Sequence, residues 1–369
     1  MQIRKKRRIV IASLLKPVDD TRMFEKMGVS LSKLKNAEVH IIGRHADAVN
    51  VAENVTLHGL KPFDRLSARR VLAPAKVAQL ILKLKPEILV VNTSELLIVA
   101  ILFRILFGTK IIYDIRENYA LNVVHSGGFS PFTGKILSVL LMVKQTLCAP
   151  FFNHFFLAEK CYLNELAFVP AHKTTVLENK TVRPGLLSRN PSAENLTLIF
   201  TGTLSTTTGV FRAIELVKKL HSTDPKIRLH ITGYCALTEE RKMIFQEAEK
   251  HAFIHLTGID YLINHQKIVE AISMAHAGII AYEVNPATEN KIPTKLYEYL
   301  GYQLPILLTD HAPWLSLCPP GTALNFERSA TEQILTFIQQ SIPAPPPEGV
   351  FWDTEEYRLI EIINKISSN

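Results

Sequence analysis

The chain has 369 residues, 47% of them hydrophobic and 21% charged. This composition excludes a disordered, collagen-like or disulfide-scaffold protein, and the length exceeds what one core usually holds, so two domains are expected. The formal net charge of +8 favours an anionic partner, such as a phosphorylated substrate or an acidic lipid surface.

The basic residues are scattered and lack interleaved aromatics, so nucleic acid is not an expected partner. Cys148, Cys161, Cys235 and Cys318 form no C-x-x-C pair and show no metal-ligand spacing. They are expected to be reduced thiols of a cytoplasmic protein that holds no metal. At the N-terminus, the cluster Arg4–Arg8 precedes the apolar run Ile9–Leu15. Lys16-Pro17 ends that run and no small-residue cleavage site follows, so a buried first strand is a better reading than a signal peptide.

Along the first half, short apolar runs read as strands at Ile9–Leu14, Val39–Gly43, Val55–His58, Ile88–Asn92, Lys110–Asp114, His154–Ala158 and Thr175–Leu177. Most are continuous rather than alternating, which is how strands covered on both faces of a parallel sheet read. Helices fit between them at Thr21–Leu34, Pro74–Leu84, Glu95–Phe107, Phe132–Thr146 and Glu159–Phe168. Leu96–Phe107 is too short to span a bilayer and reads as a buried crossover helix. Pro131–Phe156 reads as a core helix in preference to a face resting on a bilayer.

The Pro-, Ser- and Asn-rich stretch 183–195 reads as a linker. The strand and helix alternation then restarts. Strands are expected at Leu196–Thr201, Ile227–Thr232, Phe253–Leu256, Gly278–Tyr282, Pro305–Leu308 and Ala323–Phe326. Helices are expected at Val210–His221, Thr238–His251, Gln266–Ala275, Thr294–Leu300 and Thr331–Gln340. A Pro-rich spacer at 343–347 leads to a last helix near Thr354–Ile366. The expected architecture is α/β: one Rossmann-like domain over 1–182, a second over 196–347, and a terminal segment 348–369 that carries the last helix. Ligands of such sheets bind beyond the carboxyl ends of the strands.

Three strand ends carry candidate chemistry. In LTLIFTGTLSTTTG (Leu196–Gly209), Gly202 and Gly209 bracket a hydroxyl-rich loop before a helix start, which can approach phosphate closely. It is neither a Walker loop nor G-x-G-x-x-G, and an ordinary turn is the plain alternative. In ATENKIPTKLYEYLGYQLP (Ala287–Pro305), Pro293 and Thr294 open a helix with Lys295 in its first turn. A cation there opposes the helix dipole unless an anion is near. Glu298 could accept hydrogen bonds from two ribose hydroxyls. In KIIYDIRENY (Lys110–Tyr119), Arg116 could clamp phosphate, or form an internal ion pair with a nearby carboxylate.

Taken together these segments resemble the family-four glycosyltransferases of the GT-B fold, in a bacterial subgroup. PVDDTRMFEKMGVSLSK (Pro17–Lys33), KIIYDIRENY, TGTLSTTTG, NKIPTKLYEYLGYQLPIL (Asn290–Leu307) and FWDTEEYRLIEIINKI (Phe351–Ile366) carry the likeness in order along the chain. The resemblance implies two Rossmann-like domains facing across a cleft, with the last helix, in 348–369, packing back on the N-terminal domain. It also implies retaining transfer from a nucleoside-diphosphate sugar to a hydroxyl acceptor, in polysaccharide or glycolipid assembly. The nucleotide sugar would serve as co-substrate, with no further cofactor.

By the same resemblance Glu298 holds the donor ribose, and Gly202, Thr203, Pro293, Thr294 and Lys295 meet the diphosphate. Tyr261 and Leu262 lie near the base, and Asn290 stands where relatives often carry a glutamate near the donor sugar. Arg116 and Glu117 approach from the N-terminal side, with Asp19, Asp20 and His125 as acceptor-side candidates. Thr208 stands where relatives often have Lys or Arg, Arg116 where they often have His, and the loop Lys16–Asp20 lacks paired glycines. The charge and the apolar Pro131–Phe156 stretch suggest a lipid-linked acceptor and peripheral contact with the inner face of an acidic membrane. A nucleotide-sugar epimerase of the same architecture and a non-catalytic nucleotide-sugar-binding protein are the alternatives.

Overall fold

The computed structural model describes residues 6–46, 51–61, 68–125, 130–185, 189–191 and 194–368. Arg4 and Lys5 of the basic cluster, and residues 186–188 and 192–193 of the linker, lie outside them. The chain divides into two compact units, Met1–Asn179 with Trp352–Asn369, and Lys180–Phe351.

The first unit holds seven strands: β1 (Arg7–Pro17), β2 (Ala37–Arg44), β3 (Val55–Leu60), β4 (Ile88–Val91), β5 (Lys110–Ile115), β6 (His154–Leu157) and β7 (Thr174–Val176). They form one parallel sheet in the order β3-β2-β1-β4-β5-β6-β7. The second unit holds six: β8 (Leu196–Thr203), β9 (Ile227–Tyr234), β10 (Ile254–Ile259), β11 (Ala277–Ile280), β12 (Ile306–Leu308) and β13 (Ala323–Asn325). Their sheet is also parallel, in the order β10-β9-β8-β11-β12-β13. The periodicity locates every one of these strands. Their apolar runs do not alternate because both faces are covered: every residue of β4, β6 and β11 is buried. Each sheet reverses its winding once, between β1 and β4 and between β8 and β11. Crevices at the carboxyl ends of parallel sheets open at such switch points.

Three sequence expectations change. The helix expected over Glu159–Phe168 contracts to Tyr162–Glu165, because Leu166 leaves the helical region (φ −108°, ψ 81°) and packs in the core with Tyr162. Within the linker, Arg189 donates to the carbonyls of Gln303 (2.9 Å) and Ala275 (3.0 Å) of the second unit. The core reading of Phe132–Thr146 does not hold. The helix forms over Pro131–Cys148, capped by Ser130, but it buries only Gly134, Gln145 and Cys148. Likewise Leu97–Phe107 is a crossover helix that buries only Leu97, Ala100 and Phe103. Only the narrow stripe of each helix that meets the sheet is covered.

The terminal helix Asp353–Ser368 belongs to the first unit and buries Leu359, Ile363 and Ile366 at helical spacing. Its anchor is Trp352, which is buried and donates from Nε1 to Ser30 Oγ at 2.9 Å. Ser30 in turn donates to Glu356 (3.0 Å), which also receives Lys33 Nζ at 2.6 Å. Removing the indole empties a core site and strips Ser30 of its donor. Trp352→Ala should therefore lower the unfolding free energy by about 3–5 kcal/mol, measured by urea denaturation. A loss below about 1 kcal/mol would show that the anchor is dispensable.

Candidate functional site

The switch point of the second sheet is built from close backbone approach. β8 ends at Gly202, which pairs with Gly233 of β9, which pairs with Gly258 of β10. A Cβ on Gly233 would lie 1.9 Å from the Gly202 carbonyl oxygen, so no side chain fits there. Gly209, with φ +85°, opens the helix Val210–Thr223, and a Cβ on it would lie 1.8 Å from the Ala281 carbonyl oxygen just past β11. Glycine at 209 thus lets the loop after β8 sit on the end of β11. Arg212, one turn on, fixes that contact by donating to the carbonyls of Ala281 (3.2 Å) and Tyr282 (2.9 Å) and pairing with Glu327.

Within this loop Thr208 is committed to the loop itself. Its hydroxyl donates to the Thr203 carbonyl at 2.9 Å and accepts from Ser205 N–H at 2.9 Å. Gly202 faces open space.

The helix Thr294–Gly301 leads into β12 and packs against β11. Pro293 caps it without a side-chain hydrogen bond, and its first turn carries no acidic residue. Its positive end is therefore uncompensated by its own sequence. Lys295, in that turn, is 5% exposed, and its Nζ has no hydrogen-bond partner among the described residues. The ammonium lies 3.8 Å from the Phe200 ring centroid and 5.1 Å from that of Tyr282. Burial pulls the Lys295 pKa down to about 7, against a smaller upward pull from Glu298. Glu298, one turn further on, is also buried, with Oε1 3.0 Å from His265 Nε2.

The loop leading into this helix is clamped on both sides of Asn290. His311 Nδ1 accepts from Trp314 N–H at 3.2 Å, so its proton sits on Nε2, which donates to the Glu289 carbonyl at 2.9 Å. Trp314, stacked on His311, donates from Nε1 to the Lys291 carbonyl at 2.7 Å. Asn290 itself is exposed. Tyr261 and Leu262 are exposed on the loop after β10. Ile259 enters that loop at φ +76°, a strained conformation for a β-branched residue.

The remaining candidates lie in the first unit. Asp20 caps the helix that begins at Thr21, accepting from the N–H groups of Arg22 and Met23. It also receives both terminal nitrogens of Arg116, at 2.7 and 3.0 Å. Burial opposes ionisation of Asp20, but the Arg116 guanidinium outweighs it and holds the carboxyl well below the usual range. The internal ion pair is the arrangement Arg116 adopts. Glu117 accepts from Asn122 (3.0 Å) and lies 3.7 Å from Lys16. Asp19 is half-buried next to Asp20, and half-buried His125 ends the helix Tyr119–His125.

The structure thus puts Gly202 and Thr203 at the end of β8, beside the β8–β11 switch point, and sets Lys295 against Phe200 of β8 and Tyr282 just past β11, with Glu298 one turn further along its helix. Asn290, Tyr261 and Leu262 stand on exposed loops nearby in the chain. The sequence reading missed Gly233 and Gly258, the Arg212 and His311–Trp314 clamps, and the His265 partner of Glu298. It also missed Asn92 and Thr93 at the β1–β4 switch point, where the Asn92 amide and the Thr93 hydroxyl are buried without hydrogen-bond partners among the described residues. Of these, only the glycines ending neighbouring strands left a local sequence signal.

No family model and no curated protein sequence matches the chain. Solved structures do. Sucrose-phosphate synthase from Thermosynechococcus elongatus superposes with a TM-score of 0.73 at 12% identity, over 98% of this chain and 100% of that one. Anabaena HepE in complex with UDP-glucose gives 0.62 at 13% identity, over 97% and 99%. The catalytic domain of starch synthase IV from Arabidopsis thaliana, bound to ADP and acarbose, gives 0.62 at 11% identity, over 99% and 100%. These full-length likenesses show that the chain has the two-unit, parallel-sheet GT-B fold of the nucleotide-sugar glycosyltransferases.

Proposed function

We propose that the protein is a retaining glycosyltransferase that moves a sugar from a nucleoside-diphosphate donor to a hydroxyl acceptor. The observation that carries this reading is the Lys295 ammonium: buried, without a hydrogen-bond partner, at an uncapped helix start on the β8–β11 switch point. A diphosphate supplies the anion that such a site lacks. The lysine is covered by Phe200 and Tyr282 in the free protein, so binding draws Nζ out from between the rings. Glu298, held by His265, receives the ribose hydroxyls, and Tyr261 and Leu262 flank the base. That several similar structures contain UDP-glucose or ADP supports the same donor class.

In the reaction the bond between the anomeric carbon and the donor phosphate breaks as the acceptor oxygen bonds to that carbon on the same face. The acceptor proton passes to the departing phosphate oxygen, so no side-chain base is needed. Stabilising the charge that develops on the diphosphate is the main electrostatic task, and Lys295 with the N–H groups of Thr294 and Lys295 performs it. The acceptor is a sugar or lipid-linked hydroxyl of surface-polysaccharide assembly. It is handled by the first unit, where Glu117, Asp19, Asn92 and Thr93 supply polar groups. No disulfide joins Cys148, Cys161, Cys235 or Cys318, which fits a cytoplasmic site of action.

Three outcomes are expected. A panel of nucleotide sugars should contain one that raises the melting temperature and yields a glycosylated product with the donor's anomeric configuration, read by NMR. Lys295→Met should remove that ligand-induced shift while raising the melting temperature of the free protein, by roughly 2–4 °C per kcal/mol of relieved burial. An unchanged donor affinity in that variant would refute the assignment of Lys295. Glu298→Gln should weaken donor binding roughly ten- to hundredfold, as loss of hydrogen bonds to a charged group does, measured by calorimetry.

A fourth outcome concerns pH. The free lysine is largely neutral above its pKa of about 7, whereas the diphosphate complex requires it charged. Donor binding should therefore take up a proton, and affinity should fall by up to roughly tenfold per pH unit above 7. Calorimetry at pH 8 in buffers of different ionisation enthalpy measures this directly. Zero net uptake would mean that Lys295 does not change charge on binding.

A further inference from the structure

The helix Pro131–Cys148 is amphipathic in the wrong sense for a soluble surface. Its outward stripe is Phe132, Ile136, Val139, Leu140, Val143 and Leu147, each between 47% and 76% exposed. The spacing i, i+4, i+7, i+8, i+11, i+15 gathers them within about 100° of arc. Its inward side, Gly134, Gln145 and Cys148, is small or polar. The neighbouring helix Leu97–Phe107 packs against it and repeats the pattern, with Ile98, Leu102, Ile105 and Leu106 between 51% and 68% exposed. Two adjacent helices thus present one continuous apolar face of a kind that soluble monomers rarely leave in water.

The charges say what covers it. Neither helix contains an Asp or Glu. At 100° per residue, Lys135 and Lys144 fall about 90° to either side of the centre of the outward stripe, one on each margin. A second copy docked face to face would bring two such basic margins together with no carboxylate in either helix to meet them. Anionic lipid headgroups meet both lysines while the acyl boundary takes the apolar stripe.

The geometry points to insertion of this two-helix face into the interface of an anionic bilayer, with the helices lying in the membrane plane. By length and composition Pro131–Phe151 could cross a membrane. It is tied instead into the sheet. Gln145 donates to the buried Tyr113 hydroxyl at 2.8 Å, and the chain runs directly on into β6. A crossing helix would have to leave the fold. This inference does not depend on the donor site, and it gives the proposed lipid-linked acceptor a surface to be met on.

The test is flotation of the full-length protein with vesicles of phosphatidylcholine alone or with about a third phosphatidylglycerol, the protein variants being checked for unchanged melting temperature and nucleotide-sugar response. The wild type should float with the anionic vesicles. Leu140→Glu with Val143→Glu, both outward-facing, should abolish flotation. Lys135→Gln with Lys144→Gln should weaken anionic-vesicle binding roughly thirtyfold while leaving the weak neutral-vesicle binding unchanged. A wild type that stays out of the lipid fraction overturns the proposal. So does a dimer, seen by sedimentation, that the Leu140 and Val143 changes dissociate without any effect on flotation.

Discussion

An ammonium group taken out of water without a hydrogen-bond partner costs several kcal/mol or surrenders its proton, and Lys295 is in that position. The Phe200 and Tyr282 rings offset part of the cost through cation–π attraction, at most about 2 kcal/mol when desolvated. The depressed pKa is the remainder made visible. Much of the second unit is arranged so that this strain persists. Gly209 brings the loop onto the end of β11, Arg212 ties the helix behind it to the Ala281 and Tyr282 carbonyls, and His311 and Trp314 fix the chain on both sides of Asn290. A helix start that could relax would swing the lysine to solvent and lose its poise. Clamped, it holds positive potential in place before any anion arrives, which is what electrostatic preorganisation requires.

The first unit handles charge in the opposite way. At its strand ends the ionic groups are saturated. Arg22, fully buried, makes a bidentate pair with Asp114 and donates to the Leu177 carbonyl and to Asn179. Lys26 donates to the Asn179 carbonyl, and Arg116 closes on Asp20. Together these bonds fasten the last residues of the unit's first segment to the helix that begins at Thr21. Such pairs contribute little net stability against apolar substitutes but specify a unique geometry, and removing one partner strands a buried charge. They also narrow the chemistry: a carboxylate held ionised by a bidentate guanidinium is a poor base.

The sheets were legible because their cause is local. Continuous apolar runs such as Ile88–Val91 and Gly278–Ile280 have only one stable setting, a strand covered on both faces, and the two-unit α/β fold follows from their alternation with helices. The helix at Thr294 was legible from Pro293 at its start. What stayed hidden depends on partners distant in sequence. Arg116 offers the same guanidinium to phosphate or to a carboxylate, and only folding shows Asp20, 96 positions away, in reach. Thr208 looked like a phosphate ligand because its neighbours are hydroxylic, yet the nearest acceptor, the Thr203 carbonyl, belongs to its own loop. His265 carries no mark that it meets Glu298.

The helix Pro131–Cys148 shows the limit most sharply, because periodicity reports a stripe without reporting which way it faces. Burying Phe132, Ile136, Leu140 and Val143 would satisfy the hydrophobic effect, and on that ground alone the stripe should point inward. The orientation found keeps a polar contact instead. Turning the helix by half a revolution would carry Gln145 away from the buried Tyr113 hydroxyl and leave that group unsatisfied inside the sheet's aromatic cluster with Phe152 and Phe155. Gly134 and Cys148 fit the close inward contact that the bulkier stripe would not. The outward apolar face is therefore the consequence of how this helix must seat on β5 and β6.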